Sequence, residues 1–256
     1  MSKTVDYVVA DGVATISLNR PHRLNAINGE LLHDFATALG KANAGEDVRV
    51  IVLRGEGRAF CAGDDLKEFE AQSASRAKAT AYVEAIQDIT RALVLNHKMV
   101  VVAIHGWAVG GGLEWVINCD FVVAARDTRC FLPETRLGVF VTGAVTALLP
   151  RQIGIERTRR LILLGDRFTA EEGAAMGFDW TLAEPSDVGA QAMQLAMRIA
   201  ALPQGSVRHL KRALAAAPFG GLEAAMAMET AAAVDGFLDP ESRQRALGAI
   251  GHKEGH

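Results

Sequence analysis

Three short stretches hold residue types that can do chemistry together. The first is Gly110-Gly111-Gly112-Leu113-Glu114, directly after the apolar run Met99 to Ile104 and His105-Gly106. Glycines at a strand-to-helix turn let backbone approach a bound group, because no Cβ stands in the way. The amides that open a helix have no partner inside it, and they bear partial positive charge. The second stretch is Ala59 to Leu66, AFCAGDDL, where a tight turn at Gly63 would present the N–H of Asp64. Paired with the N–H of Gly111, it makes two donors for a carbonyl or thioester oxyanion. The third is Pro133-Glu134, a carboxylate at a strand end. Glu114 and Glu134 would then flank one pocket. Like charges held close in a low-dielectric site raise one pKa, and such a pair can divide acid and base roles.

Each piece alone has a plainer reading. A triple-glycine turn is commonly a packing device, and Asp64 and Asp65 can simply cap a helix. A lone His105 at a strand end is usually hydrogen-bonded structure, and Trp107 and Trp115 read as core. Neither GEGRAF nor AVGGGLEW completes G-x-G-x-x-G, and neither a G-x-S-x-G elbow nor a Walker sequence occurs.

The elements that must position these pieces follow from periodicity. Val5 to Val9 and Val13 to Leu18 alternate around Asp11-Gly12, a hairpin signal. Asn28 can cap a helix running to about Asn43, with Leu31, Leu32, Phe35 and Leu39 on one face. Val48 to Leu53 and Met99 to Ile104 read as inner strands. A short helix is expected from about Asp65 and a longer one over Ser73 to Asn96. Phe121 to Ala125 and Arg129 to Leu132 read as strands. Helices over Gly143 to Gln152, Ile155 to Leu164 and Ala170 to Met176 stop at Gly154, Gly165 and Gly177. Further helices span Val188 to Ala201, Ser206 to Ala217 and Leu222 to Leu238, with a last one to about Ile250. The helix from Leu222 is small-sided and apolar enough to pack on several sides, against a partner subunit or the chain's own core. Strands early, alternation in the middle and helices late indicate an α/β fold.

Composition narrows the partners. The chain has 256 residues, half of them hydrophobic, and a net charge of −3. With no basic excess, neither nucleic acid nor an anionic membrane is expected as a partner. Cys61, Cys119 and Cys130 form no CxxC pair, so no disulfide framework or zinc site is expected. Reduced thiols, no signal peptide and no span-length apolar run point to the cytoplasm.

Taken together, the sequence resembles the crotonase (enoyl-CoA hydratase/isomerase) superfamily. NRPHRLNAIN, RAFCAGDDLKEF, HGWAVGGGLEWVINCD, FLPETRLGV and LLGDRFTAEEGAAMGF bear the resemblance, from about Asn19 to Phe178. It implies a spiral of ββα units over residues 1–195 and a helical C-terminal region over 196–256 that builds a homotrimer or homohexamer. It also implies an acyl-CoA thioester substrate, with no metal or redox cofactor. The N–H groups of Asp64 and Gly111 would bind the thioester oxygen. Leu24, Asn25 and Ala26, with Ala62, would line the groove for adenine and pantetheine, and Gly63, Leu66 and Gly110 would add substrate contacts. Glu114 and Glu134 occupy the two glutamate positions of hydratase members, which implies hydration of a 2-enoyl-CoA. Isomerisation, thioester hydrolysis and retro-aldol cleavage use the same oxyanion hole, and a non-catalytic acyl-CoA binder is a further alternative.

Three departures stand out. After Leu137-Gly138 the family usually has a Pro and a Gly-rich run, whereas here the chain reads Val139 to Ala144, VFVTGA. This loop borders the water site and acyl pocket, and Phe140 could shape that pocket or pack in the core. Gly177 to Trp180 replaces a more aliphatic run. Pro240 onward lacks the usual acidic-Gly-Ala-Phe-Lys-Arg pattern, so no C-terminal CoA contact is carried over.

Overall fold

Asp11 and Gly12 both adopt positive φ (51° and 77°), the backbone of a tight hairpin turn between β1 (Val5–Ala10) and β2 (Val13–Leu18). The structure is a computed structural model that describes residues 4–68, 71–72 and 74–216. From β2 the main sheet continues in parallel through β3 (Val50–Gly55), β4 (Met99–Ile104), β6 (Phe121–Ala125) and β9 (Trp180–Ala183). A second, smaller sheet joins β5 (Trp107–Val109), β7 (Arg129–Phe131) and β8 (Phe168–Thr169). Isolated parallel bridges, Cys61 to Ala108 and Ile27 to Asp64, extend that layer across earlier parts of the chain.

The repeat is therefore a long strand, a sharp turn, a short strand and a helix. It recurs as β3 with residues 61–64, as β4 with β5, and as β6 with β7. Strand β4 shows why the sheet needs cover on both sides. Val100, Val102 and Ile104 enter one apolar cluster, while Met99, Val101 and Ala103 enter the other. The first cluster is closed by α1 (Gly29–Ala44) and α2 (Arg76–Val94), with α3 (Gly111–Ile117), α4 (Val145–Ile153) and α5 (Ile155–Leu164) beyond. The second is closed by α7 (Val188–Ala200) and Val207 of α8 (Gln204–Ala216). Ala170 of α6 (Ala170–Met176) joins the first cluster, and this helix is opened by a reciprocal capping box of Thr169 and Glu172.

Most expected elements are present, with informative shifts. Asn28 caps α1 by accepting from the amide of Leu31 at 2.9 Å. The helix expected from Ser73 begins at Arg76, because Ser75 accepts the amide of Lys78 and caps it there. Of the short helix expected from about Asp65, residues 66–68 form a turn and residues 71–72 are helical. The boundary expected between 195 and 196 falls inside α7, whose Ala192, Ala196 and Ile199 share one apolar cluster. Trp115 is core, but Trp107 is only half-buried, with the guanidinium groups of Arg129 and Arg167 at 5.3 and 5.9 Å from its ring. The helices expected beyond 216 lie outside the described residues.

Candidate active site

Strand register explains how distant residues meet. Ala108 of β5 pairs with Cys61 on one side and Cys130 on the other. Three residues further along each segment stand Asp64, Gly111 and Pro133, followed by Glu134. Three successive turns of the spiral thus deliver their next residues to one sheet edge. Ligand sites of α/β folds form at such edges, beyond the strand ends.

Close packing at that edge depends on two glycines. A Cβ on Gly63 would come within 2.9 Å of the Val109 carbonyl oxygen, and one on Gly110 within 2.6 Å of Glu134 Oε1. Both residues have positive φ, 82° and 51°. The amides that follow them are unspent. In the Ile27 bridge, Ile27 donates to the Gly63 carbonyl and Asp65 donates to the Ile27 carbonyl, each at 2.8 Å, which bypasses the Asp64 N–H. Gly111 is the first residue of α3, and the first helical bond runs from Glu114 to Gly110. Among the described residues, neither the Asp64 nor the Gly111 amide has an acceptor.

Both glutamates are buried beside this edge. Glu114, 1% exposed, accepts the Thr142 amide at 2.8 Å on Oε1 and the Thr142 hydroxyl at 2.5 Å on Oε2. Burial pushes its carboxyl up, the two Thr142 bonds oppose this, and the charge of Asp64 adds to it. Glu134, 6% exposed, has an Oε2 with no partner among the described residues. Burial first, and then the charges of Glu114 and Asp64, push its carboxyl up to about 7. The Asp64 side chain is exposed, and its Oδ1 accepts the Tyr82 hydroxyl at 2.6 Å. Tyr82 also lines a groove of about 540 Å³ between α1 and α2, together with Leu32, Ala36, Gln72 and Ala85.

The remaining expected contact residues separate into two groups. Gly63, Gly110, Gly111 and Ala26 are buried at or near this edge, and Leu24 and Ala62 are half-buried beside it. Leu24 and Asn25 both take left-handed backbone (φ 52° and 55°), and the Ala62 amide donates to the Leu24 carbonyl at 3.0 Å. Asn25 departs from expectation. Its side chain turns inward, fully buried, and donates to the carbonyls of Glu56 (2.9 Å), Ala59 (2.9 Å) and Phe60 (3.1 Å). It holds the loop that carries Gly63 and offers no side chain to a groove. Phe140 also departs: it is 73% exposed, and the apolar side chain this loop buries is Val141. Leu66 is likewise exposed. Asp65 is fixed by Arg20 at 3.1 Å, and Arg20 also donates to the Ala26 carbonyl, so this pair braces the turn. Sequence reasoning passed over Thr142 and Tyr82. The available signal for Thr142 was a hydroxyl inside a run where glycine is usual.

A layered ββα spiral with free amides at one sheet edge is the architecture of the crotonase fold. The crystal structure of an enoyl-CoA hydratase from Bacillus anthracis superposes with a TM-score of 0.90 at 30% identity, over 98% of this chain and 96% of that one. The sequence pattern of the enoyl-CoA hydratase/isomerase family matches residues 9–251, and the chain belongs to that family. Its members act on acyl-CoA substrates. Relatives at comparable identity bear names for different reactions. A 1,2-epoxyphenylacetyl-CoA isomerase of Escherichia coli is 32% identical, over 86% of this chain and 85% of that protein. A short-chain-enoyl-CoA hydratase of Clostridium acetobutylicum is 28% identical, over 86% and 84%. Among the described residues, no helix is long and apolar enough to cross a membrane.

Proposed function

We propose that the protein hydrates a 2-enoyl-CoA to a 3-hydroxyacyl-CoA. The observation that supports this reading best is the pair of buried glutamates of unequal environment beside two unspent amides. Glu114, hydrogen-bonded as an acceptor, takes a proton from water as its oxygen bonds to the β-carbon. The electron pair of the double bond moves toward the thioester oxygen, where the amides of Asp64 and Gly111 receive the charge. Glu134, whose carboxyl holds its proton up to about pH 7, returns a proton to the α-carbon. Atoms and charge balance with water as the sole co-reactant. The same reading extends to a homotrimer or homohexamer in the cytoplasm, which sedimentation and fractionation measure.

Loss of enoyl absorbance on incubation with crotonyl-CoA tests the reaction. Glu114→Gln and Glu134→Gln should each lower turnover about 10²- to 10⁴-fold. Turnover should also fall as pH rises past about 7, because Glu134 then gives up its proton.

A second reading has a specific observation behind it. Thr142 engages both oxygens of Glu114, whereas Oε2 of Glu134 has no partner among the described residues. One free carboxyl suits a double-bond isomerisation, in which Glu134 alone moves a proton between two carbons. A silent Glu114→Gln variant, with a 3-enoyl-CoA converted to its 2-enoyl isomer, would select that reading.

A further inference from the structure

The loop that departs most from the family pattern is tied to α3 at two points one helical turn apart. Glu114 receives the amide and hydroxyl of Thr142, and Asn118, four residues on, donates to the Gly143 carbonyl at 2.7 Å. Residues four apart share a helix face, so α3 presents one edge to this loop. Gly143 permits the approach: with φ at 59°, a Cβ there would lie 2.9 Å from Glu114 Cβ and 3.0 Å from its Oε2. A carboxylate has two in-plane acceptor positions on each oxygen. One residue takes a position on each, so the carboxylate plane cannot turn without breaking both bonds.

We infer that Thr142 is a positioning residue for the site's base: its amide and hydroxyl clamp the Glu114 carboxylate in one plane and leave a defined acceptor position for the reacting water. This rests on the hydration reading. The amide is available from any residue at this position, so the hydroxyl is what the side chain adds. A donor to each oxygen also favours the charged form, which a base requires. The charged groups that act on this pair are Asp64, from the loop before α2, and Glu134, from the adjoining turn. Among the other elements packed on α3, α4 carries Arg151 and α2 carries Arg76, Lys78, Glu84, Asp88 and Arg91, all exposed, together with the half-buried Tyr82. Strand β5 has no charged residue.

Thr142→Val removes the hydroxyl while keeping shape and amide, and Thr142→Ser restores it. Three readouts separate positioning from mere packing. These are kcat against KM for crotonyl-CoA, the acid limb of the pH profile, and the carbon-13 titration of the Glu114 carboxyl, assigned with Glu114→Gln. With Val, kcat should fall about tenfold while KM stays within about twofold. The Glu114 midpoint and the acid limb should both rise, by about one pH unit. Ser should return all three close to the parent. A Val variant whose Glu114 titration matches the parent overturns the inference, and so does a Ser variant that behaves like Val. If the parent enzyme does not hydrate crotonyl-CoA, the hydration reading fails by itself, and the carboxyl titration still decides whether Thr142 controls Glu114. Thermal melting of both variants identifies any loss of folding.

Discussion

Two regions of this molecule bury charge, and they treat it in opposite ways. Against α8 and the start of β4, Lys211 is 2% exposed with every ammonium proton placed. Its Nζ donates to the carbonyls of Leu93 and Lys98 at 2.8 Å each, and to Asp120 Oδ2 at 2.7 Å. Lys98 is handled the same way, donating to the carbonyls of Ala42 (2.6 Å) and Gly45. At the glycine edge, Glu134 is nearly as buried, yet Oε2 has no partner among the described residues and two further carboxylates stand nearby. The first region spends its polar groups on each other and gains a fixed joint between α8 and the sheet. The second withholds partners, at a cost in stability, and gains a carboxyl that can exchange its proton near neutral pH. Burial alone does not tell Lys211 from Glu134; what differs is that the ammonium has an acceptor for each proton, whereas one carboxyl oxygen has no partner among the described residues.

That contrast breaks most sharply at Lys211. Lys211→Met removes three donated bonds and leaves Asp120 Oδ2 with the Val100 amide, at 2.7 Å. Orphaning a fully buried charge typically costs about 3–5 kcal/mol, but Asp120 is solvent-exposed and its charge is screened, so the expected loss is roughly 1–3 kcal/mol. Urea unfolding should show a loss of that order, while kcat/KM of the folded fraction stays unchanged. Adding Asp120→Asn should recover part of it, because the unpaired charge then disappears. A loss below about 1 kcal/mol would mean the network is ornamental, since that is what exposed pairs contribute.

Glu134 should respond in the opposite direction. Its carboxyl rises from an ordinary 4.5 to about 7 on folding. Between those values the folded state binds more protons than the unfolded chain, so stability is full below about 4.5 and declines as pH rises through 7. Glu134→Gln removes the titration. At pH 8 the variant should be more stable than the parent by roughly 2–3 kcal/mol, with the difference vanishing near pH 4. Its activity should be lost at both. Destabilisation at pH 8 would place Glu134 with Lys211 as a structural group and undo the comparison.

The same division governs what the sequence makes legible. Long periodic elements with punctuation are readable locally: α5 and α6 fall between the glycine stops that predict them, and Asn28 caps α1. Strands β5 and β8, three and two residues long, are too short for any pattern to register. The candidate site is legible in part because its backbone chemistry requires glycines, and Gly63 and Gly110 are visible as such. What aligns them is the Cys61–Ala108–Cys130 register, set by long-range pairing that no local window contains. Thr142 and Lys211 escape for a related reason. A threonine in a loop and a lysine on an amphipathic helix are ordinary until their partners, residues away, are known.

The finest cut at the comparison is Asp64, whose backbone and side chain pull in different directions. On the proposed hydration its amide would receive a developing oxyanion, while its own carboxylate places negative charge close by. The Tyr82 hydroxyl, donating at 2.6 Å, draws off part of that charge. The same carboxylate helps to raise both Glu114 and Glu134. Asp64→Asn keeps the amide and an acceptor for Tyr82 but removes the charge. The alkaline limb assigned to Glu134 should then move down by a few tenths of a pH unit, the size expected of one partly solvated neighbour. In the same variant kcat/KM should hold or rise by up to about threefold, because the amides no longer work against a fixed negative charge. If the limb moves up, or kcat/KM collapses, Asp64 acts through its side chain. The site would then contain a third working carboxylate, and not two plus a screened bystander.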